Sequence, residues 1–235
     1  MSNIAIITAR GGSKRIPRKN IKEFCGKPIL VYSIEAALNS GCFDEVMVST
    51  DDAEIAEIAK AAGASVPFFR SAETADDFAT TADVIEEVLE EYAKLGKTYE
   101  YACILYPTAP FVTGEKLRTA MELLQNEGAD SVLPIVQFSF PPQRAFISVD
   151  GCIRYAEEKY AKARSQDLQP MYHDCGQFCC FTTKLFLTKR TLVTENTRGI
   201  VCPESEVQDI DNQEDWLLAE LKYKMMKEKK NGLSD

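Results

Sequence analysis

At 235 residues, 27% charged and 45% hydrophobic, with a net charge of −9, the chain has the make-up of one globular domain with a sizeable core. The negative balance argues against a general nucleic-acid binder or an acidic-membrane partner, since like charges would repel. No run approaches the roughly 18 apolar residues a membrane span needs. The apolar opening Ile4-Ala5-Ile6-Ile7, ended by Arg10, is too short for a secretory leader. A cytoplasmic protein is the expectation. The eight cysteines include no Cys-x-x-Cys pair and there is a single histidine, so a zinc site is not expected; in a reducing compartment such thiols act as small apolar fillers.

In chain order, Asn3 to Thr8 reads as a buried strand from its Ile and Ala run. Pro28 to Asn39 reads as a helix with Gly41 just beyond its end, and Glu45 to Ser49 as a second strand. Asp51 or Asp52 can cap the helix that follows, up to Gly63. Thr81 to Leu95 carries Val84, Ile85, Val88, Leu89 and Tyr92 on one helical face. Tyr101 to Tyr106 is a strand, Gly114 to Asn126 a helix, Ser131 to Val136 a strand. Between about 138 and 170 the rhythm breaks at Pro141 and Pro142, an excursion from the core; helix–strand order is expected to resume at Gly176. The chain closes with a strand into Asp209-Ile210-Asp211 and a helix from about Gln213, capped by Asn212. Such alternation predicts an α/β fold on a mostly parallel sheet.

The segment Ala9-Arg10-Gly11-Gly12-Ser13-Lys14-Arg15-Ile16-Pro17-Arg18-Lys19-Asn20 follows the first strand directly, where open α/β sheets bind ligands. Positions 10 to 22 hold six basic residues, against about 1.5 expected from the chain's composition. Gly11 and Gly12 let the backbone approach a phosphate, and Ser13 adds a hydroxyl. Neither a Walker A loop nor a Gly-x-Gly-x-x-Gly turn is present. The alternative is a solvated basic loop. In a strand, Asp209 and Asp211 would face one side, and paired carboxylates call for a cation such as Mg²⁺; the alternative is a capping cluster before Asn212. Asp51-Asp52 reads as helix capping. His173 can contact a ligand or satisfy a buried hydrogen bond.

The basic loop resembles the signature of the CMP-sialic acid synthetase family, and the match extends along nearly the whole chain. Val48-Ser49-Thr50-Asp51-Asp52, Phe69-Arg70-Ser71, Tyr106-Pro107-Thr108-Ala109-Pro110 and Asp209-Ile210-Asp211 are similar to the family's later elements. The resemblance implies a three-layer α/β/α, Rossmann-like nucleotide-diphospho-sugar transferase fold and CTP-dependent activation of an acidic nine-carbon sugar. It implies nucleotide contacts from Arg10, Gly11, Gly12, Ser13, Lys14, Lys19, Asn20, Arg70 and Thr80 or Thr81, with Arg15 facing solvent. Asp209 and Asp211 would hold Mg²⁺. It also implies a homodimer with shared active sites, paired through residues 138–170, with Tyr106, Arg144, Arg164, Gln166 and His173 toward the sugar.

Tyr106 stands where the neuraminate enzymes carry Gln, and Arg164-Ser165-Gln166-Asp167-Leu168 with His173-Asp174 also departs from their pattern. Both departures resemble pseudaminic acid cytidylyltransferases. A phenol in place of an amide suits a deoxy methyl end better than a glycerol tail. Neuraminate, legionaminate and 3-deoxy-manno-octulosonate are the competing sugars. A glycosyltransferase or a non-catalytic nucleotide-sugar binder are the competing classes; the first should show an acceptor domain, the second should lack the loop lysine or the paired carboxylates.

Overall fold

The computed structural model describes residues 2–232. The elements run β1 (Asn3–Thr8), β2 (Glu23–Phe24), β3 (Lys27–Pro28), α1 (Ile29–Ser40), β4 (Glu45–Ser49), α2 (Ala53–Ala61), α3 (Ala72–Ala75), α4 (Thr81–Lys94) and β5 (Tyr101–Leu105). There follow α5 (Gly114–Asn126), β6 (Ser131–Gln137), β7 (Phe146–Val149), β8 (Cys152–Tyr155), β9 (Tyr172–Asp174), β10 (Phe178–Thr182), α6 (Thr183–Lys189), β11 (Thr197–Val201) and α7 (Gln213–Gly232).

Local chemistry sets the helix boundaries. Asp52 accepts from the Ile55 amide at the start of α2, and Thr113 from the Lys116 amide at the start of α5. Thr80 and Asp83 form a reciprocal capping box on α4. Gly41 ends α1 in the left-handed conformation, φ 67°, which glycine adopts without steric cost.

The main sheet has seven strands in the order β11-β6-β10-β5-β1-β4, with β9 on β6. β4, β1, β5, β6 and β11 share one direction; β10 runs against both β5 and β6, and β9 against β6. The sheet is thus mostly parallel, with an antiparallel strand inserted near its centre. Along β1 the side chains alternate. Ala5 and Ile7 pack with α1, α2 and α5 on one face; Ile4 and Ile6 pack with α4 and α6 on the other. The layers are α/β/α.

Strand–helix order resumes after Gly176, as expected, in β10 and α6, although β10 runs antiparallel to its neighbours; the excursion ends as expected near residue 170, where β9 follows and pairs with β6 across Ile135↔Asp174. One expectation is corrected. Asp209-Ile210-Asp211 lies in no strand: residues 207–212 make no ladder, and the last strand is β11. Ile210 is nevertheless buried, because it drops into an aromatic cluster with Ile16, Phe24, Tyr32, Phe111, Trp216 and Tyr223. Within the excursion, β7 and β8 form a separate hairpin whose Phe146, Ile147, Val149 and Ile153 are exposed.

The aromatic cluster fastens α7 to the foot of the basic loop. Phe24 meets Tyr32, Trp216 and Tyr223 edge-on, at centroid distances of 5.5, 5.5 and 5.6 Å. Phe24→Ala should therefore cost about 3–5 kcal/mol of stability. Urea unfolding read by the emission of Trp216, the chain's only tryptophan, measures it; a loss below about 1 kcal/mol would show that the cluster collapses to fill the gap.

Candidate active site

The basic loop leaves the carboxyl end of β1 and is pinned at several points. The Gly11 amide donates to Asp51 Oδ1 at 2.8 Å, and the Ser13 amide donates to the Gly11 carbonyl at 3.0 Å. Asn20 is buried and its Nδ2 donates back to the Arg10 carbonyl at 2.8 Å. Arg18 sits in the left-handed region, φ 55°, at a cost of about 1–2 kcal/mol. It is held there by Asp52 and Glu54. The Arg18 guanidinium in turn holds the Asp52 carboxyl below the usual carboxylate range. Asp52 therefore caps α2, as expected, and also anchors the loop; Asp51 binds the loop's backbone.

Three compartments adjoin over the carboxyl ends of β1 and β5. The central one, about 390 Å³, is lined by Thr8, Arg10, Ser13, Lys14, Arg15, Lys19, Asn20 and Tyr106-Pro107-Thr108. On one side lies a cleft of about 220 Å³ that shares Thr8 and Arg10 and adds Arg70, Thr74, Asp76, Asp77, Ala79, Thr80 and Thr81. On the other lies a cavity of about 580 Å³ that shares Lys19, Tyr106 and Thr108 and adds His173, Asp174, Gly176, Val207 and Asp209. The Tyr106 hydroxyl faces Thr81, and burial pushes its pKa up. A molecule with three chemically distinct parts can lie across the row.

The central compartment is strongly cationic. Lys19 Nζ donates to the Ile210 carbonyl at 2.7 Å, reaching across 191 residues of chain. Burial is the largest influence on this amine and lowers its pKa; Asp211 and Asp209 oppose that, and Arg15 and Arg10 reinforce it. Arg70 is buried. Its Nε donates to Ser49 Oγ at 3.0 Å and its Nη2 to the Ser49 carbonyl at 2.8 Å, and desolvation lowers its pKa to about 10. It is still charged at neutral pH, a fixed cation at the end of the first side cleft.

Asp209 is exposed and lines the third compartment, while Asp211 is half-buried. Arg15 is largely exposed, as expected, and pairs with Asp211 at 2.7 Å. Among the described residues no group of three or more His, Cys, Asp or Glu side chains could hold a metal by itself. Two carboxylates beside a cationic compartment nevertheless have the chemistry for a hard cation such as Mg²⁺, which takes oxygen ligands and completes its shell from bound anions and water.

The structure brings Arg10, Ser13, Lys14, Lys19 and Asn20 together, with Arg70, Thr80 and Thr81 on one side and Tyr106, His173 and Asp209 on the other. Thr80 also caps α4. Gly11 and Gly12 shape the loop rather than line the compartment. Arg144, Arg164 and Gln166 lie apart: Arg144 lines an excursion cavity with Phe140 and Tyr155, Arg164 pairs with Asp167, and Gln166 is exposed. His173 is exposed, and its Nδ1 lies 2.9 Å from the Asp174 carbonyl.

Asp77, which pairs with Arg10 and Lys14, was not legible from spacing. Its only signal is indirect: an acidic tract, Glu73 to Asp77, in a chain whose cations crowd one loop.

The two loop glycines differ. A Cβ at Gly11 would stand 2.8 Å from Asp52 Oδ2, whereas one at Gly12 meets nothing within 4 Å. Gly11→Ala should displace Asp52 from Arg18 and cost about 1–3 kcal/mol. Gly12→Ala should stay within about 0.5 kcal/mol of wild type. Paired thermal melts decide this; equal shifts would contradict the geometry.

The family model described as cytidylyltransferase matches residues 4–184. The chain is 41% identical over 226 residues, 96% of this chain and 97% of the relative, to a pseudaminic acid cytidylyltransferase of Campylobacter jejuni. It is 34% identical to the CMP-N,N'-diacetyllegionaminic acid synthase of Legionella pneumophila, covering 94% and 95% of the two chains. The fold is similar to that of a CMP:2-keto-3-deoxy-manno-octonic acid synthetase complexed with CTP, with a TM-score of 0.68 at 16% identity over 97% of this chain and all of that one. It is also similar to a 4-diphosphocytidyl-2C-methyl-D-erythritol synthase from Anaerococcus prevotii, with a TM-score of 0.63 over 94% of this chain and 97% of that one. From sequence and fold together, this chain belongs to the cytidylyltransferase family.

Proposed function

We propose that the protein transfers the cytidylyl group of CTP to pseudaminic acid, forming the CMP-sugar and releasing pyrophosphate, and that it does so as a cytoplasmic homodimer. The observation that carries this reading is the row of three compartments. A buried cation and threonines lie at one end, a basic loop in the middle, and a polar cavity with a carboxylate at the other. Cytosine and ribose fit the end with Arg70, Thr80 and Thr81, the triphosphate fits the loop, and the sugar fits the cavity beside Tyr106 and His173. Among the described residues no helix is long and apolar enough to cross a membrane.

In the reaction the sugar's anomeric hydroxyl oxygen attacks the α-phosphorus and gives up its proton to water, a P–O bond forms to it, and the bond to pyrophosphate breaks. Such a transfer asks the protein for alignment and charge stabilisation rather than covalent help. Arg10, Lys14 and Lys19 neutralise charge that grows on the departing pyrophosphate. The Lys19 bond to the Ile210 carbonyl aims the amine and ties the loop to the acidic segment. Asp209 and Asp211 would hold Mg²⁺, which when bound screens phosphate charge and acidifies a coordinated hydroxyl. Arg15 holds only Asp211 Oδ1, so the other oxygen would be left for the cation. Arg144, Arg164 and Gln166, remote from this chain's own cavity, would serve the partner's site through the excursion, whose exposed Phe140, Phe146 and Ile153 would bury against the other copy.

Pyrophosphate release with CTP and a panel of acidic sugars tests the function. Pseudaminate should exceed N-acetylneuraminate by at least about tenfold in kcat/KM, and Tyr106→Gln should narrow the gap. Equal values would overturn the sugar assignment while leaving cytidylyl transfer intact. Asp211→Asn should leave less than about a tenth of wild-type turnover, and Lys19→Ala should raise the barrier by about 2–4 kcal/mol. Near-wild-type turnover for Asp211→Asn would remove the metal assignment.

A further inference from the structure

Arg10 lines both the central compartment and the cleft that holds Arg70, Thr80 and Thr81, so its guanidinium stands at their boundary. It does not rest on the loop that carries it. Its Nη1 donates to Asp77 Oδ1 and to the Asp76 carbonyl, both at 2.9 Å, across 67 and 66 residues of chain. The other Asp77 oxygen binds Lys14 Nζ. One carboxylate thus bridges two cations of the basic loop.

The segment that presents Asp77 is itself fixed. Asp76 Oδ1 accepts from the Phe78 amide at 2.8 Å and the Ala79 amide at 2.6 Å, and the next residue, Thr80, caps α4. The bridge therefore runs from a helix cap to the loop. Arg10 and Lys14 are long side chains, 36% and 76% exposed, and without a partner they would sample many rotamers. An exposed ion pair adds little to stability, and a carboxylate next to a triphosphate repels it. What the bridge can contribute is order: the two cations are held before the nucleotide arrives, and less conformational freedom is lost when it does. The two Asp77 pairings also hold the Asp77 carboxyl below the usual carboxylate range, Lys14 first and Arg10 second, so the bridge is intact at neutral pH.

We infer that Asp77 is a positioning residue for nucleotide binding, one that acts through Arg10 and Lys14 and joins the phosphate-binding loop to the wall beside Arg70, Thr80 and Thr81. The inference rests on the proposed use of that loop for the CTP phosphates. Because a bound triphosphate would itself hold the two cations, the loss of Asp77 should fall on CTP affinity more than on turnover once CTP is bound.

The test is a double-mutant cycle on CTP binding, measured by titration calorimetry without sugar, for wild type, Asp77→Asn, Arg10→Ala and the double variant. Asp77→Asn should weaken CTP binding about tenfold, the scale of one or two side chains left to order on binding. It should raise KM for CTP with kcat kept within about threefold, and leave the thermal midpoint close to wild type. With Arg10 already removed, the same change should cost less than about threefold, because its main target is gone. Asp77→Glu, which keeps the charge on a longer stem, should recover part of the loss. Additive effects would overturn the inference, and so would an Asp77→Asn variant that binds CTP as tightly as wild type. Tighter binding would instead make Asp77 a competitor for the two cations. If the wild-type chain binds no CTP, the proposed function fails and the inference with it; if wild type binds and the cycle is additive, the inference alone fails.

Discussion

The site depends on the aromatic cluster between the foot of the basic loop and the last helix. Ile16 comes from the loop, Phe24 and Tyr32 from the segment after it, and Ile210, Trp216 and Tyr223 from the far end of the chain. Burying these together brings Lys19 against the Ile210 carbonyl, and with it Asp209 and Asp211 to the edge of a cationic compartment. Like charges crowd on both sides of that line. The loop carries Arg10, Lys14, Arg15, Arg18 and Lys19; the opposing segments carry Asp51, Asp52, Asp77, Asp209 and Asp211. Neither set would gather without apolar burial nearby, since exposed ion pairs contribute too little to offset the ordering they require.

The charges then sort by burial. Arg70 is sealed among Ser49 and its neighbours and keeps a fixed orientation, suited to recognising one part of a ligand. Lys19 is intermediate, its ammonium tied to a carbonyl. Arg15 and Lys14 lie at the rim, each paired with a carboxylate. Buried cations therefore lie deep and solvent-exposed ion pairs outside, so a large anion meets the exposed pairs before the buried cations.

Much of the fold was legible because period and capping act locally. The Ile and Ala run of β1, the apolar face of α4 and the Asp52 cap each depend on a few neighbouring residues. The basic loop was legible for a related reason: its charge density is far above the chain average and it follows a strand. What spacing could not supply was pairing across distance. Asp209-Ile210-Asp211 has the alternation of a strand, yet no neighbouring edge accepts it. Its alternation comes from Ile210 fitting the aromatic cluster. The reversed direction of β10 was hidden because a strand buried on both faces reads the same either way. The Asp77 bridge and the Arg15–Asp211 pair join residues far apart in the chain, and nothing in either local sequence names the other.

The placement of β10 also bears on how the chain assembles. It lies between β5 and β6, so those two strands are joined only through Phe178–Thr182. During synthesis β4, β1 and β5 can pair with one another early, covered by α1, α2 and α4. β6 must wait for a strand encoded some forty residues later, beyond the whole excursion. Joining the two halves closes a long loop and is expected to be the slow step of folding. The wall of the third compartment at Asp174 and Gly176 is set by the same event, and its Asp209 side only by α7. A nascent chain thus lacks both the third compartment and the aromatic packing that fixes the foot of the basic loop, so the compartments become complete together, only once the last helix is in place.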